Sequence, residues 1–193
     1  MGIALEYTII GTEYLENGDY DKAIAIFTEA IRIQPDLAEA YGFRGGAYMQ
    51  KDVRAEAIAD YTEAIRLDPN YFSARYGRAI VYSRNGDFDK AVADYTALLR
   101  LNPDDADLYS SRGMAYRNKG AYDLAVADLT EAIRLEPANK LYYSQRGLSY
   151  SEKGNFDKAI ADFNEVIRLD PNSESADMAR DAIKDLKAGK SII

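Results

Sequence analysis

The sequence offers few side chains that could carry out catalysis or bind a metal ion. It contains no cysteine and no histidine, which excludes disulfides, thiolate chemistry, imidazole acid-base catalysis and the usual soft-metal sites. Asp19 and Asp21 are spaced like the start of a calcium loop, but the glycine and distal glutamate of such a loop are missing, and helix capping explains them better. No nucleophile stands beside a base. The sequence therefore predicts a protein with no catalytic residue, no cofactor and no metal.

Arginine and aspartate recur in four pairs, each separated by 16 residues. The pairs are Arg44 with Asp60, Arg78 with Asp94, Arg112 with Asp128, and Arg146 with Asp162. Ile10 and Ile26 stand at the same separation before the first pair. Because both charges are replaced together there, we predict that each arginine forms a buried structural ion pair with the aspartate of its own unit. The alternative is a ladder of arginines that binds anionic ligands.

Composition and charge restrict the class of partner. The chain has 193 residues, of which 47% are hydrophobic, and its net charge is −8. This is a globular balance, and the negative field disfavours nucleic acid as a partner. Residues 1–7 show no export signal, and no stretch approaches 18 apolar residues, so we expect a cytoplasmic protein that does not span a membrane.

Internal repeats organise the whole chain. Five prolines follow one another at intervals of 34 residues: Pro35, Pro69, Pro103, Pro137 and Pro171. Three further columns have the same period, namely tyrosines from Tyr14 to Tyr150, alanines from Ala23 to Ala159, and large residues from Phe27 to Phe163. We assign all three columns to the core, with Tyr116 as a buried ring.

Each unit is predicted to contain two helices, because apolar residues recur at intervals of three and four residues, as in Ala23, Ile26 and Phe27. Asn17-Gly18-Asp19 is typical of the turn between them, and each proline ends the second helix. The second unit has Lys51-Asp52-Val53-Arg54 at this turn, without the usual glycine. We therefore expect a looser turn there.

The unit resembles the tetratricopeptide repeat (TPR), whose pattern W-x2-L-G-x2-Y, A-x3-F and a late proline is similar to Tyr7-x2-Ile10-Gly11-x2-Tyr14, Ala23-x3-Phe27 and Pro35. The resemblance implies an all-α, right-handed α-solenoid with a concave groove lined by the first helix of each pair. The expected units, together forming one domain, are 4–37, 38–71, 72–105, 106–139 and 140–173, followed by a capping helix at 174–188.

The resemblance also indicates which residues would face a ligand. One inner row reads Thr8, Gly42, Tyr76, Ser110 and Ser144, and a second includes Ile9 and Gln145. The candidate peptide-binding residues are Phe43, Met49, Tyr76, Ile80, Arg84, Met114, Arg117 and Leu148. The competing interpretation is partial burial between helices for the apolar residues and ordinary solvated charge for the two arginines. The inner rows lack the lysines and asparagines with which some family members grip a carboxylate.

The leading functional hypothesis is a scaffold that binds a peptide or helical segment of another protein, with an apolar or neutral ligand favoured. A basic peptide would suit the net charge, although acidic surfaces ordinarily serve solubility. The alternative is a structural module that forms homo-oligomers through the groove, the uncapped first unit or the apolar tail Ser191-Ile192-Ile193. An enzyme is the third hypothesis, and it has the least support.

Overall fold

The computed structural model describes residues 2–190 and 192. This part of the chain contains eleven α-helices and no strand. The helices are α1 Ile3–Glu16, α2 Tyr20–Ile33, α3 Ala38–Gln50, α4 Arg54–Leu67, α5 Phe72–Asn85, α6 Phe88–Leu101, α7 Ala106–Asn118, α8 Tyr122–Leu135, α9 Lys140–Glu152, α10 Phe156–Leu169 and α11 Glu174–Lys187. The all-α fold class predicted from the sequence is confirmed.

The helices belong to two compact units, one ending at Asp94 and the other beginning at Tyr95, inside α6. In the first unit, α1 packs on α2 and α3 on α4, while α2 also packs on α3 and α4 on α5. The second unit repeats this arrangement with the pairs α7 and α8, and α9 and α10. Helix α11 packs on α10 and covers the last pair.

Only one of the two aromatic columns is fully buried. Phe27 and Leu129 have no exposed surface, and Tyr61, Tyr95 and Phe163 are also buried. The tyrosine column, including Tyr116, is only half-buried. The Tyr116 ring lies beside a cation, with Arg112 Cζ 5.9 Å from the ring centre. Tyr116 is therefore half-buried and not the fully buried ring that was expected, and the column lies at the edge of the core, where Tyr14, Tyr48 and Tyr150 pack against buried clusters.

Buried aromatic rings leave no room for a Cβ atom at particular glycines of the first helices. Gly45 of α3 and Gly77 of α5 both face the ring of Tyr61, and a Cβ atom on Gly77 would lie 2.5 Å from Tyr61 Cζ. Gly11 of α1 faces Phe27 in the same way, with its Cβ position 2.4 Å from Phe27 Cε1. Glycine at these positions lets the helices approach closely enough to enclose the rings.

The turn in the second repeat is as well bonded as the others. Asp52 takes the left-handed conformation, with φ of 57°, that Gly86 takes at the corresponding turn. Its two backbone hydrogen bonds, Asp52 N to Met49 O and Val53 N to Tyr48 O, match those at Gly86 and Asp87. Arg54 also pairs with Asp52 at 2.7 Å and donates to Arg84 O at 3.1 Å. The expectation of a looser turn is wrong, because aspartate tolerates the left-handed region.

Burial of Tyr61 makes the stability of the chain sensitive to alkaline pH. Burial raises the pKa of Tyr61 from 10.0 to about 12. The folded state therefore favours the neutral phenol, and the stability linked to it is lost as pH rises from about 10 towards about 12. We expect Tyr61→Phe to remove about 1 kcal/mol of the stability loss that urea unfolding measures between pH 8 and 11. An unchanged pH dependence in Tyr61→Phe would contradict this assignment; Tyr116→Phe, at a half-buried ring, is the matched control.

Candidate functional site

Each arginine of the four pairs forms a bidentate bond with the aspartate of its own repeat. Arg44 donates from Nε to Asp60 Oδ2 and from Nη2 to Asp60 Oδ1, both at 2.7 Å. The same two bonds, at 2.7 to 2.8 Å, join Arg78 to Asp94, Arg112 to Asp128 and Arg146 to Asp162. All four aspartates are buried. Charge-assisted bonds of this geometry are among the strongest in proteins.

A third bond, not expected from the sequence, links each arginine to the preceding repeat. Arg44 Nη1 donates to Thr28 Oγ1 of α2 at 3.0 Å, so its guanidinium joins α2, α3 and α4. Thr62, Thr96 and Thr130 accept the same bond from the next three arginines. The sequence signal for these bonds was a column of threonines at 34-residue spacing, which ends with Asn164 in the last repeat. Among the described contacts, no arginine of the following helix α11 donates a hydrogen bond to Asn164.

The guanidinium groups are engaged inside the protein. Tyr143 and Tyr150 lie on Arg146, with ring centres 5.8 and 5.9 Å from its Cζ. The bond to Asp162 raises the pKa of Arg146 above its ordinary value, and partial burial opposes this shift. Because Nε, Nη1 and Nη2 of these arginines all donate to protein oxygens, the geometry favours a structural role over a ladder for anionic ligands.

The candidate ligand residues of the first unit are half-buried, except for one exposed arginine. The Phe43 ring stacks on Phe27 at 5.8 Å, and Met49 accepts a hydrogen bond from the Tyr61 hydroxyl at 3.8 Å. Tyr76 stacks on Phe72 of the same helix at 6.1 Å. Ile80 is half-buried, and Arg84 is exposed. Phe43 and Met49 therefore contribute to packing between helices as well as to the surface.

The candidate residues of the second unit differ from one another. Met114 of α7 is 38% exposed. Leu148 of α9 lines a cleft described below. Arg117 faces Glu152, with Nε 3.9 Å from Oε1, and both side chains are largely covered. The expected point of positive charge at Arg117 is therefore offset by a neighbouring carboxylate, whereas Arg84 is more open to solvent.

Two inner rows predicted from the resemblance are partly inside the protein. Thr8, Ser110 and Gln145 are buried. Thr8 donates to Ala4 O at 3.0 Å, and Ser110 donates to Gln145 Oε1 at 2.7 Å across the contact of α7 with α9. The prediction of these three as surface residues is wrong, because successive first helices pack against each other at this column.

A column that the sequence analysis overlooked is exposed instead. It contains Leu5, Glu39, Ser73, Asp107 and Leu141, again at 34-residue spacing. Leu5 is 41% exposed and Leu141 is 53% exposed. Within each unit, we call the side of the first helices that is marked by this column, by the half-buried Tyr76 and Ile80 and by the exposed Met114 the first-helix face. It combines isolated apolar side chains with polar and acidic ones.

A cleft of about 510 Å³ opens in the second unit between α9, α10 and α11. Its lining residues are Ser144, Leu148, Phe163, Ser175, Met178, Ala179, Asp181, Ala182, Asp185 and Ile192. Met178 is 67% exposed. Most of the lining residues are apolar, and the two aspartates among them belong to α11. Of the tail residues suggested as an assembly element, Ser191 and Ile193 lie outside the described residues, while Ile192 lines this cleft.

Within residues 2–190 and 192, no group of three or more acidic side chains is placed to hold a metal ion. None of the described helices combines the length and the apolar character needed to cross a bilayer.

Stacked helix pairs, a 34-residue period and a variable face on the first helices define a helical repeat protein. Sequence models described as tetratricopeptide repeat match residues 76–140 and 141–173, and one described as TPR repeat matches 11–52 and 45–86. These matches cover most of the chain, which belongs to the tetratricopeptide repeat family.

Solved structures with the same fold include several other TPR proteins. MamA residues 41 to the end from Desulfovibrio magneticus RS-1 is 23% identical, with a TM-score of 0.84 over 90% of this chain and 99% of that chain. YrrB, described as a TPR protein with an unusual peptide-binding site, is 21% identical, with a TM-score of 0.80 over 92% of each chain. A thermophilic TPR protein of Thermus thermophilus is 21% identical, with a TM-score of 0.66 over 94% of this chain and 99% of that chain. No curated protein matches by sequence. At these identities the likeness shows the fold.

Proposed function

We propose that the chain is a protein-protein interaction scaffold that binds a peptide or helical segment of a partner on its first-helix face, without catalysis. The observation that carries the proposal is the exposure of large apolar side chains there, among them Leu5, Met114 and Leu141. The repeated columns hold the fold, and these positions are left to vary from one repeat to the next. Isolated apolar anchors amid polar residues suit a segment that inserts a few apolar side chains.

The charge of the face supports the ligand chemistry. Glu39 and Asp107 lie in the exposed column, and the net charge of the chain is −8. An acidic segment would meet repulsion over much of this surface, whereas an apolar or neutral segment would not. The peptide-binding site for which YrrB is described supports a peptide as a ligand that this fold can accept.

The test uses the full chain as bait and compares two double variants. We expect Tyr76→Ala with Ile80→Ser to lower partner capture about tenfold or more, because contact with two anchors is lost. Ile33→Ser with Leu124→Ser is the matched control, since it removes exposed apolar side chains of 40% and 51% exposure from the second helices. Melting temperatures of both variants are compared with that of the native chain to check that they are folded.

Full partner capture by the Tyr76 and Ile80 variant would reject this face of the first unit as the binding surface. Equal losses in both variants would indicate non-specific apolar adhesion instead.

Self-assembly is a second candidate, favoured by the apolar surface of α1. Ile3 is 62% exposed and Ile10 is 42% exposed. Ile10 occupies the column in which later repeats carry the arginine that bonds to the preceding helix. A second copy of the chain would cover this surface. Light scattering that shows only monomer at high protein concentration would reject self-assembly. Ile3→Ser with Ile10→Ser should lower any self-association that is observed.

A further inference from the structure

The chain after α11 turns back towards the cleft of the second unit. Gly189 has a φ of 70°, which reverses the chain direction at the end of the helix. Gly189 N donates to Leu186 O at 3.0 Å, and Lys190 N donates to Asp185 O at 2.9 Å. Ile192 then packs against the buried cluster that includes Phe163 and lines the cleft.

Two contacts of this returning segment indicate what the cleft accepts. The Lys190 ammonium group lies 3.3 Å from Asp185 Oδ1. The Ile192 side chain packs against the buried cluster that includes Phe163 and forms one wall of the cleft, together with Leu148 and Ala182. One residue separates the cation from the aliphatic side chain, so the segment presents a basic residue, any residue and an aliphatic residue in that order.

We propose that this cleft and the adjoining surface covered by Ile192 form a binding site for a partner segment with the sequence basic-x-aliphatic, and that such a segment displaces Lys190 from Asp185 and Ile192 from the apolar cluster. This inference rests on the proposed function and names the ligand class for the cleft that α9 shares with α10 and α11. Asp181 and Asp185 line the cleft beside Leu148, Phe163 and Ala182. The cleft therefore offers an anionic edge for the basic residue and an apolar floor for the aliphatic one.

The resident segment is held weakly enough to be displaced. The Lys190 and Asp185 side chains are 68% and 41% exposed, and exposed ion pairs contribute little free energy. Ile192 is only half-buried. The resident segment still competes with a free segment, because it is tethered to the cleft and acts at a high effective concentration. The apparent affinity of the cleft for a free segment is therefore lower.

The experiment uses the full chain and a fluorescent peptide with the sequence of residues 188–193 as the probe. We expect the Ile192→Asp variant to bind the peptide about tenfold or more tightly than the native chain in fluorescence anisotropy, because the resident side chain is gone. Ala188→Asp is the matched control, since it adds the same charge to an exposed residue that does not line the cleft. It should bind the peptide as the native chain does.

Two further variants test the contacts. In the Ile192→Asp background, Ala182→Phe should abolish peptide binding by filling the cleft, and Asp185→Lys should weaken it by repelling the lysine. A peptide in which the residue corresponding to Ile192 is aspartate should not bind. Circular dichroism of each variant is compared with that of the native chain to check that it is folded.

Equal peptide affinity of the native and Ile192→Asp chains would overturn the proposal, as would binding that survives both Ala182→Phe and Asp185→Lys. A native dimer that becomes monomeric in Ile192→Asp would place a second copy's segment in the cleft and overturn the intramolecular assignment. If partner capture still depends on Tyr76 and Ile80 while the peptide results fail, the proposed function stands and only this inference falls.

Discussion

Replacing Asp128 by alanine is expected to lower the free energy of unfolding by about 3 kcal/mol. The side chains of Arg112 and Asp128 are 18% and 10% exposed, so water replaces little of what the substitution removes. Arg112 would keep its bond to Thr96 at 3.0 Å but lose both carboxylate bonds. The cost is that of a largely buried cation without a counter-charge, which urea denaturation measures.

The double substitution Arg112→Leu with Asp128→Leu separates the cost of an unpaired charge from the value of the pair. We expect it to cost far less than Asp128→Ala, because apolar replacement of a whole buried pair is often nearly neutral. Ile10 and Ile26 occupy the equivalent places in the first repeat. Equal losses in the single and double variants would refute the idea that the ion pair is tolerated as a unit.

An exposed ion pair on α8 provides a control in the same repeat. Arg134 and Glu131 are joined at 2.7 Å, yet their side chains are 61% and 35% exposed. We expect Glu131→Ala to change stability little, because solvent screens such pairs. A loss comparable with that of Asp128→Ala would mean that burial does not set the effect.

The architecture could be predicted from the sequence because each structural feature recurs at the same position in successive repeats. The prolines and the spacing of apolar residues indicated helix pairs, and the joint change to Ile10 and Ile26 indicated which charges belong together. The hydrogen bonds from arginine to threonine were overlooked because the prediction relied on the spacing of apolar residues, and a threonine hydroxyl that accepts from a guanidinium does not change that spacing. They are readable only as a column that stops at Asn164.

The candidate surface was harder to predict than the fold, because exposure depends on how neighbouring helices pack. A helical wheel places Thr8 and Ser110 on the same side as the exposed residues, yet contacts between successive first helices bury both. Leu141, three residues before Ser144, is exposed instead. Ile192 reaches the cleft after a left-handed turn at Gly189 of the kind that Gly86 and Gly154 form between paired helices, but no apolar period after Gly189 indicated where the chain would go.

Gly11→Ala is expected to lower the free energy of unfolding by about 2 kcal/mol, against the trend of helix propensity. Alanine should favour the middle of a helix by about 1 kcal/mol over glycine. However, its Cβ would lie 2.4, 2.7 and 2.9 Å from three atoms of the Phe27 ring. Phe27 has no exposed surface and stacks on Phe43, so the ring has no space into which to move.

Gly46→Ala is the matched control, since this glycine also lies inside a first helix but meets no obstacle. The nearest atom to its Cβ position is the Tyr61 hydroxyl oxygen at 3.7 Å, an ordinary contact. We expect this variant to gain up to about 1 kcal/mol. The two substitutions should therefore shift the melting temperature in opposite directions, and we expect the melting temperature of the Gly11→Ala variant to be about 6 °C below that of the native chain.

A double substitution identifies the ring as the cause. In a Phe27→Leu background, Gly11→Ala should cost less than it does in the native chain, because the smaller side chain leaves space at the helix contact. The fourth repeat already combines leucine with glycine at these columns, in Leu129 and Gly113. If Gly11→Ala cost as much in the Phe27→Leu background as beside the native ring, strain elsewhere in α1 would be responsible, and close approach to the ring would not explain why glycine stands there.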